Sequence, residues 1–250
     1  QIKKTYLVSA HPFEDYFLVS DFSGNLYARS FQNDNDNNKI ASFNTKSKTK
    51  CTAIGFQTTG TMFAAAKSKF VYLYSFCLDN YYEPFVTYNT YGSYVESLSF
   101  LQGTGIFATC QKPSAEFNSS ICFWDSILPQ GSAMISSLSL PKSNGKPLKI
   151  AFAPKYNNAF VATNKGAIVV IDTRKYEILK TFEGAHEKSI SALAIDQSES
   201  YLVSGGAEGS VKVWDMRSLK LIDELKNVHS PRKVKTRQKW KSMAISDIMI

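Results

Sequence analysis

Residues 183–218 read EGAHEKSISALAIDQSESYLVSGGAEGSVKVWDMRS. Apolar and polar residues alternate over 189–196 and again over 201–206, 210–215 and 221–226, the period-2 signature of half-buried strands. AEGS (207–210) supplies a tight turn between the second and third of these, with Gly209 able to take a positive φ. The segment therefore reads as four short strands joined by turns. A sheet that small cannot bury both of its faces alone.

The same pattern recurs along the chain. Aligned on GSVKVWD (209–215), the sequence yields GAIVVID (166–172), SSICFWD (119–125), KFVYLYS (69–75) and GNLYARS (24–30). The column holding Trp214 then reads Arg29, Tyr74, Trp124, Ile171, Trp214, with spacings of 45, 50, 47 and 43 residues. A period slightly above 40 with four strands per unit is the mark of a WD-repeat β-propeller blade. The expected units are 1–45, 46–91, 92–142, 143–186 and 187–230, followed by a separate segment, 231–250. In the first unit only TYLVSA, FLVSDF and NLYARSF are recognisable, so its fourth strand is left unassigned. No helix of ten or more residues is expected before about residue 228. The fold class is all-β, with five four-stranded blades that stack to bury their faces. Five blades are taken as part of a larger, seven-blade ring. The chain starts on Gln1 already close to a strand, which reads as a segment of a longer protein.

Composition agrees with a globular β protein: 17 Phe and 13 Tyr favour strands, and no apolar run is long enough to span a membrane. The N-terminus lacks the pattern of a signal peptide. Cys51, Cys77, Cys110 and Cys122 form no CxxC pair, and His11, His186 and His229 stand at no ligand-like spacing from them. Buried thiols of a reducing cytosol are the expectation, ahead of paired disulfides, and no metal site is expected. QNDNDNNK (32–39) and QKPSAEFNSS (111–120) read as solvated loops, with a partner-binding rim as the lesser alternative.

His186, Ser204 and Glu208 invite comparison with a hydrolase triad. Yet LVSGG lacks the GxSxG elbow that exposes a nucleophile, and Ser204 falls in mid-strand. The structural reading is preferred: His186, Ser204, Glu208 and Trp214, with Asp215, form a hydrogen-bonded brace inside one blade. Trp124 and Asp125 occupy the partner column. Asp34 and Asp36 sit in a loop without an apolar pocket, and no phosphate-binding or HExxH motif occurs. No catalytic residue, cofactor or small-molecule substrate is expected.

The net charge is +8, and Arg232, Lys233, Lys235, Arg237, Lys239 and Lys241 follow Lys226 with no acidic residue among them. Such a run attracts anionic partners, a membrane surface included, although a merely solvated tail is the commoner outcome. Trp240 is its one aromatic, which argues against a nucleic-acid stacking groove. The end of the chain, KWKSMAISDIMI, fits an edge strand or a helical end equally well.

The stretch from Gly184 to Ser230, together with SAHPFEDYFLVSDFSGNLYARSF, SSICFWDSILPQGSAMI and LKIAFAPKYNNAFVATNKGAIVVIDTRK, resembles in order and spacing the C-terminal WD-repeat region of the rabconnectin, or DmX-like, proteins. The likeness runs from residue 5 to about 230 and fails where PRKVKTRQKWKSMAISDIMI replaces the family's next blade. It implies a large cytoplasmic, non-catalytic scaffold that regulates assembly of the vacuolar-type proton pump, and hence acidification. The partners it implies are pump subunits and a companion scaffold subunit, with peripheral placement on endosomal, vacuolar or secretory-vesicle membranes. An unrelated WD-repeat adaptor of vesicle traffic or of a ubiquitin ligase is the alternative.

Overall fold

The computed structural model describes residues 5–31, 39–44, 47–76, 83–91, 94–112, 120–226 and 228. They form five four-stranded sheets, and in each the strands are antiparallel neighbours in chain order. The first holds β1 (Thr5–Ala10), β2 (Tyr16–Asp21), β3 (Leu26–Ser30) and β4 (Lys39–Phe43). The second holds β5 (Cys51–Phe56), β6 (Met62–Lys67), β7 (Phe70–Ser75) and β8 (Val86–Asn89). The third holds β9 (Val95–Phe100), β10 (Ile106–Gln111), β11 (Ile121–Asp125) and β12 (Met134–Leu138). The fourth holds β13 (Pro147–Ala153), β14 (Asn158–Thr163), β15 (Ile168–Asp172) and β16 (Glu177–Phe182). The fifth holds β17 (Ile190–Ile195), β18 (Tyr201–Gly206), β19 (Val211–Asp215) and β20 (Lys220–Leu225). β4 is the strand that the sequence leaves unassigned. It is short and carries only Ile40, Ala41 and Phe43 as apolar residues, beside an Asn/Asp-rich run.

The chain divides into two compact units, Gln1–Ser139 with three sheets and Leu140–Ile250 with two. In the first unit, the period of two along β6 decides the packing. Phe63 and Ala65 join Leu18, Leu26, Ala28 and Tyr74 in one core. Ala64 and Ala66 point the other way, into a core with Leu98, Phe107, Cys122 and Trp124. The middle sheet is therefore buried on both faces, each against a different neighbour. In the second unit one core gathers Phe160, Ala162, Ile168 and Val170 from the fourth sheet with Ile190 and Leu202 from the fifth.

The Trp column falls at the penultimate position of every third strand, opposite Phe17, Phe63, Phe107, Ala159 and Leu202. In four of the five sheets the pairing with the fourth strand shifts at this same residue. The column is thus a bulge position, where the third strand twists and gives a large side chain room. Trp124 is 1% exposed, stacked on Phe107 at 5.7–6.2 Å together with Tyr88. Trp214 departs from the expectation of a buried aromatic. Every residue of β19 is only half-buried, because the outer strands of the fifth sheet carry little cover, with Leu221, Ile222 and Leu225 44–55% exposed.

Turn glycines set how closely successive sheets approach. Gly209 has φ 90°, as the AEGS turn requires. Gly166 has φ 75°, and a Cβ there would lie 2.1 Å from the carbonyl oxygen of His186 at the entrance to the fifth sheet. Gly166→Ala should therefore cost about 1–3 kcal/mol from backbone strain alone, with more from the clash. Trp124→Ala should cost about 3–5 kcal/mol and Trp214→Ala roughly half as much, in proportion to burial. Denaturant unfolding of the three variants checks the order; a Trp214 variant as damaged as the Trp124 variant would contradict it.

Candidate functional site

His186 enters the fifth sheet on the segment before β17, where its backbone N–H donates to the Gly166 carbonyl at 3.0 Å. That contact holds the imidazole against β18. Ser204, fully buried in mid-β18, lies two residues beyond Leu202, the register partner of Trp214. The indole Nε1–H of Trp214 donates to Ser204 Oγ at 2.9 Å, and the same oxygen lies 2.8 Å from His186 Nε2. On the other side of the ring, Nδ1 meets the Glu208 carboxylate and lies 3.1 Å from Ser210 Oγ. Ser210 Oγ also donates to Glu208 at 2.5 Å. The AEGS turn brings Glu208 over Gly206, and a side chain at Gly206 would collide with the carboxylate.

The protons follow from which groups can only donate. The Trp214 N–H must give its proton, so Ser204 accepts it and turns its own hydroxyl proton toward Nε2. Nε2 is then the acceptor, and Nδ1–H donates to Glu208. A single direction runs from indole through hydroxyl and imidazole to carboxylate. Burial pushes the His186 pKa below its ordinary 6.5, against the pull of Glu208, so the ring is neutral. Burial would raise Glu208, but the Ser210 and His186 hydrogen bonds outweigh it and hold the carboxyl below its ordinary range. Its second oxygen, Oε2, is buried without a donor among the described residues.

As chemistry, this arrangement is closed. The nucleophile of a triad needs an exposed oxygen and a place for substrate. Ser204 Oγ is wholly buried and already accepts the indole N–H. A cavity of about 180 Å³ beside Glu208 is lined by Glu187, Glu208, Ser210, Lys212, Glu224 and Lys226, and neither Ser204 nor His186 reaches it.

The third sheet contains a related chain that the sequence did not disclose. Trp124 Nε1–H donates to Thr109 Oγ1 at 2.9 Å, and Gln111 Nε2 donates to the same oxygen at 2.8 Å. Thr109 stands two residues beyond Phe107, the register partner of Trp124, as Ser204 stands two beyond Leu202. That offset was the available signal. Asp125 and Asp215 stay outside both chains. Each ends its strand and caps the next turn, accepting from Ile127 N at 2.9 Å and Ser218 N at 2.6 Å respectively. Asp172 does the same for Arg174 at 2.7 Å. Hydrogen bonds with Ser218 and with Arg174 hold Asp215 and Asp172 below the usual carboxylate range.

Cys51, Cys110 and Cys122 are buried thiols, and burial pushes Cys51 and Cys122 up to about 12. Among the described residues no three His, Cys, Asp or Glu side chains converge as metal ligands. No helix among them is long and apolar enough to cross a membrane. Arg232, Lys233, Lys235, Arg237, Lys239 and Lys241 lie outside the described residues, as do Cys77 and most of the two long loops.

Comparison with known proteins follows the same lines. A Vps8 β-propeller family model matches residues 126–241, just under half of the chain. DmX-like protein 1 of Mus musculus is 26% identical over 152 residues, and that of Homo sapiens 23% over the same length. The match takes in 61% of this chain and about 5% of each of those relatives. The crystal structure of the Cps50 (Swd1) β-propeller domain of Myceliophteria thermophila superposes with a TM-score of 0.74 at 15% identity, over 91% of this chain and 73% of that one. The chain is an all-β, WD-repeat β-propeller chain similar to the DmX-like proteins.

Proposed function

We propose that this chain is a non-catalytic protein-interaction scaffold, working as part of the machinery that assembles the vacuolar-type proton pump and so controls vesicle acidification. The observation that carries the non-catalytic half is the closed donor chain: the constellation that resembles a hydrolase triad has its hydroxyl buried and its oxygen already bonded. Likeness to DmX-like protein 1 supports the pump half. On this reading His186, Ser204, Glu208 and Trp214 brace the fifth sheet, and partners meet the rims and connecting turns, acting at the cytoplasmic face of endosomal, vacuolar or secretory-vesicle membranes.

Affinity purification of the tagged full-length protein from its own cells tests the pump reading. Recovery of peripheral pump subunits and a companion scaffold subunit is expected. Coat or ubiquitin-ligase subunits in their place would overturn it in favour of an unrelated adaptor.

The bracing role has its own signature in pH. The folded pKa of His186 is depressed, so the unfolded chain takes up its proton first. The stability it contributes is complete above the ordinary value of 6.5 and is lost as pH falls below it. The wild-type thermal midpoint should therefore drop between about pH 7 and pH 5, and His186→Gln should flatten that drop while lowering the midpoint at neutral pH. Equal slopes for the two proteins would remove His186 from the brace. Ser204→Ala should lower the midpoint as well, since it strands both the indole N–H and Nε2 and costs about 1–3 kcal/mol.

A further inference from the structure

In an antiparallel four-stranded sheet, the β2–β3 turn, the segment entering the first strand and the segment leaving the fourth all lie at one end. In the first unit, contacts join these ends between the first and second sheets and within the second and third. The buried Lys67 amine, at the end of β6, donates to the Gly24 carbonyl in the β2–β3 turn and to Ser47 O at 3.2 Å in the entry to β5. Lys50 Nζ lies 5.3 Å over the ring of Phe22 from that same turn. Thr90, leaving β8, donates twice to the Lys69 carbonyl at 2.9 Å. Lys112 N donates to Tyr94 O at 2.9 Å at the entry to the third sheet. One rim thus gathers the exposed lysines Lys48, Lys50, Lys69 and Lys112.

The acids on this rim are already engaged. Asp21 is 2% exposed, and its carboxylate accepts from Ser23 N, Asn25 N and Asn25 Nδ2 at 2.7–2.9 Å. Glu96 pairs with Lys112. No other acidic residue lies there among the described residues. The connections at the opposite end of the same sheets carry Glu14, Asp15 and Glu83, and among the described residues no lysine or arginine. In the second unit the equivalent connections mix Lys142, Lys146, Lys165 and Lys188 with Glu183, Glu187 and Glu208. Segregation of charge by rim belongs to the first unit.

Aromatic rings accompany the lysines. Phe22 is 54% exposed, Tyr91 43% and Tyr94 51%, and all three stand on connecting turns rather than on the wall of a groove. Long lysine stems reaching to anionic headgroups, with aromatic rings seated at headgroup level, are the chemistry of peripheral attachment to a bilayer. We infer that this rim docks on an anionic lipid bilayer, Lys48, Lys50 and Lys69 supplying the attraction and Phe22, Tyr91 and Tyr94 the shallow insertion. The inference stands apart from the pump reading and from the basic run after Ser230.

Flotation of the full chain with phosphatidylcholine vesicles, with and without about one-third phosphatidylserine, tests it. Binding is expected only to the anionic vesicles, and about 0.5 M salt should release it by screening. Lys48→Glu/Lys50→Glu/Lys69→Glu should lower the bound fraction at least about ten-fold. Phe22→Ser/Tyr94→Ser should lower it at unchanged charge, whereas Arg232→Gln/Lys233→Gln/Lys235→Gln should leave most of it. A milder Lys→Gln set at 48, 50 and 69 gives the same reading if the reversed charges lower the thermal midpoint. Wild-type binding by the Lys48/Lys50/Lys69 variants, loss confined to the C-terminal variant, or capture of polyglutamate by a chain that ignores the anionic vesicles would each overturn the inference.

Discussion

A strand buried on one face alternates; a strand buried on both has no polar side to spare. β6 and β7 are of the second kind, and this two-sided burial is what every other contact in the first unit accommodates. With Phe63 and Ala65 committed to one neighbour and Ala64 and Ala66 to the other, the middle sheet has no stable existence alone. Small residues dominate β6 because large ones already fill the space from across the interface: Phe43 of the first sheet meets Phe63 edge-on at 4.7 Å from one side, and Trp124 with Phe107 enters from the other. Sheets of this width are stable only in series, and the repeat in the sequence is the consequence.

Series packing makes each turn part of the next sheet's foundation. In the second unit the His186 N–H reaches the Gly166 carbonyl, and in the first the Lys67 amine reaches that of Gly24. Both glycines have positive φ, and at both a Cβ would lie 2.1 Å from a backbone oxygen of the following sheet's entry segment. A buried lysine is a costly way to make that link. Burial lowers its pKa, with Cys51 and Asp21 pulling the other way, and carbonyl oxygens accept from it. In the fifth sheet a backbone N–H does the same duty, which leaves the His186 side chain available for Ser204 and Glu208.

The column and its offset explain what could be read from residues alone. Periodicity and spacing disclosed four complete sheets and most of the first, because a bulky side chain recurs at the penultimate residue of each third strand. β4 escaped because a five-residue edge strand with one buried face presents too few apolar residues to alternate visibly. The exposure of Trp214 was hidden for a different reason: side-chain type reports what a position can bury, whereas cover depends on what packs beyond it. Thr109 was missed because threonine is ordinary in a strand, and only its register to Trp124 sets it apart. The His186 set stood out because histidine and glutamate are rare inside β-sheets without a partner. The basic residues after Ser230 were legible as charge alone.

The two polar chains also rank the forces within a blade. Tyr74 and Ile171 occupy the Trp column in the second and fourth sheets, where Ala65 and Val161 replace the hydroxyl of Ser204 or Thr109. There Ile171 only packs and the Tyr74 hydroxyl donates to the Asn44 carbonyl at 3.0 Å, so packing is the shared requirement and the hydrogen-bond chain is local. Once an indole takes the position, its N–H needs an acceptor, and in both sheets a buried hydroxyl two residues beyond the register partner supplies it. In the third sheet the same hydroxyl oxygen accepts a second time, from Gln111 Nε2, whereas in the fifth the Ser204 hydroxyl passes its own proton to His186. Histidine in turn has a second nitrogen to satisfy, and Glu208 answers it. The triad-like set is therefore the end of a sequence of obligations that starts with Trp214, each residue placed to satisfy the one before it rather than to act on anything outside.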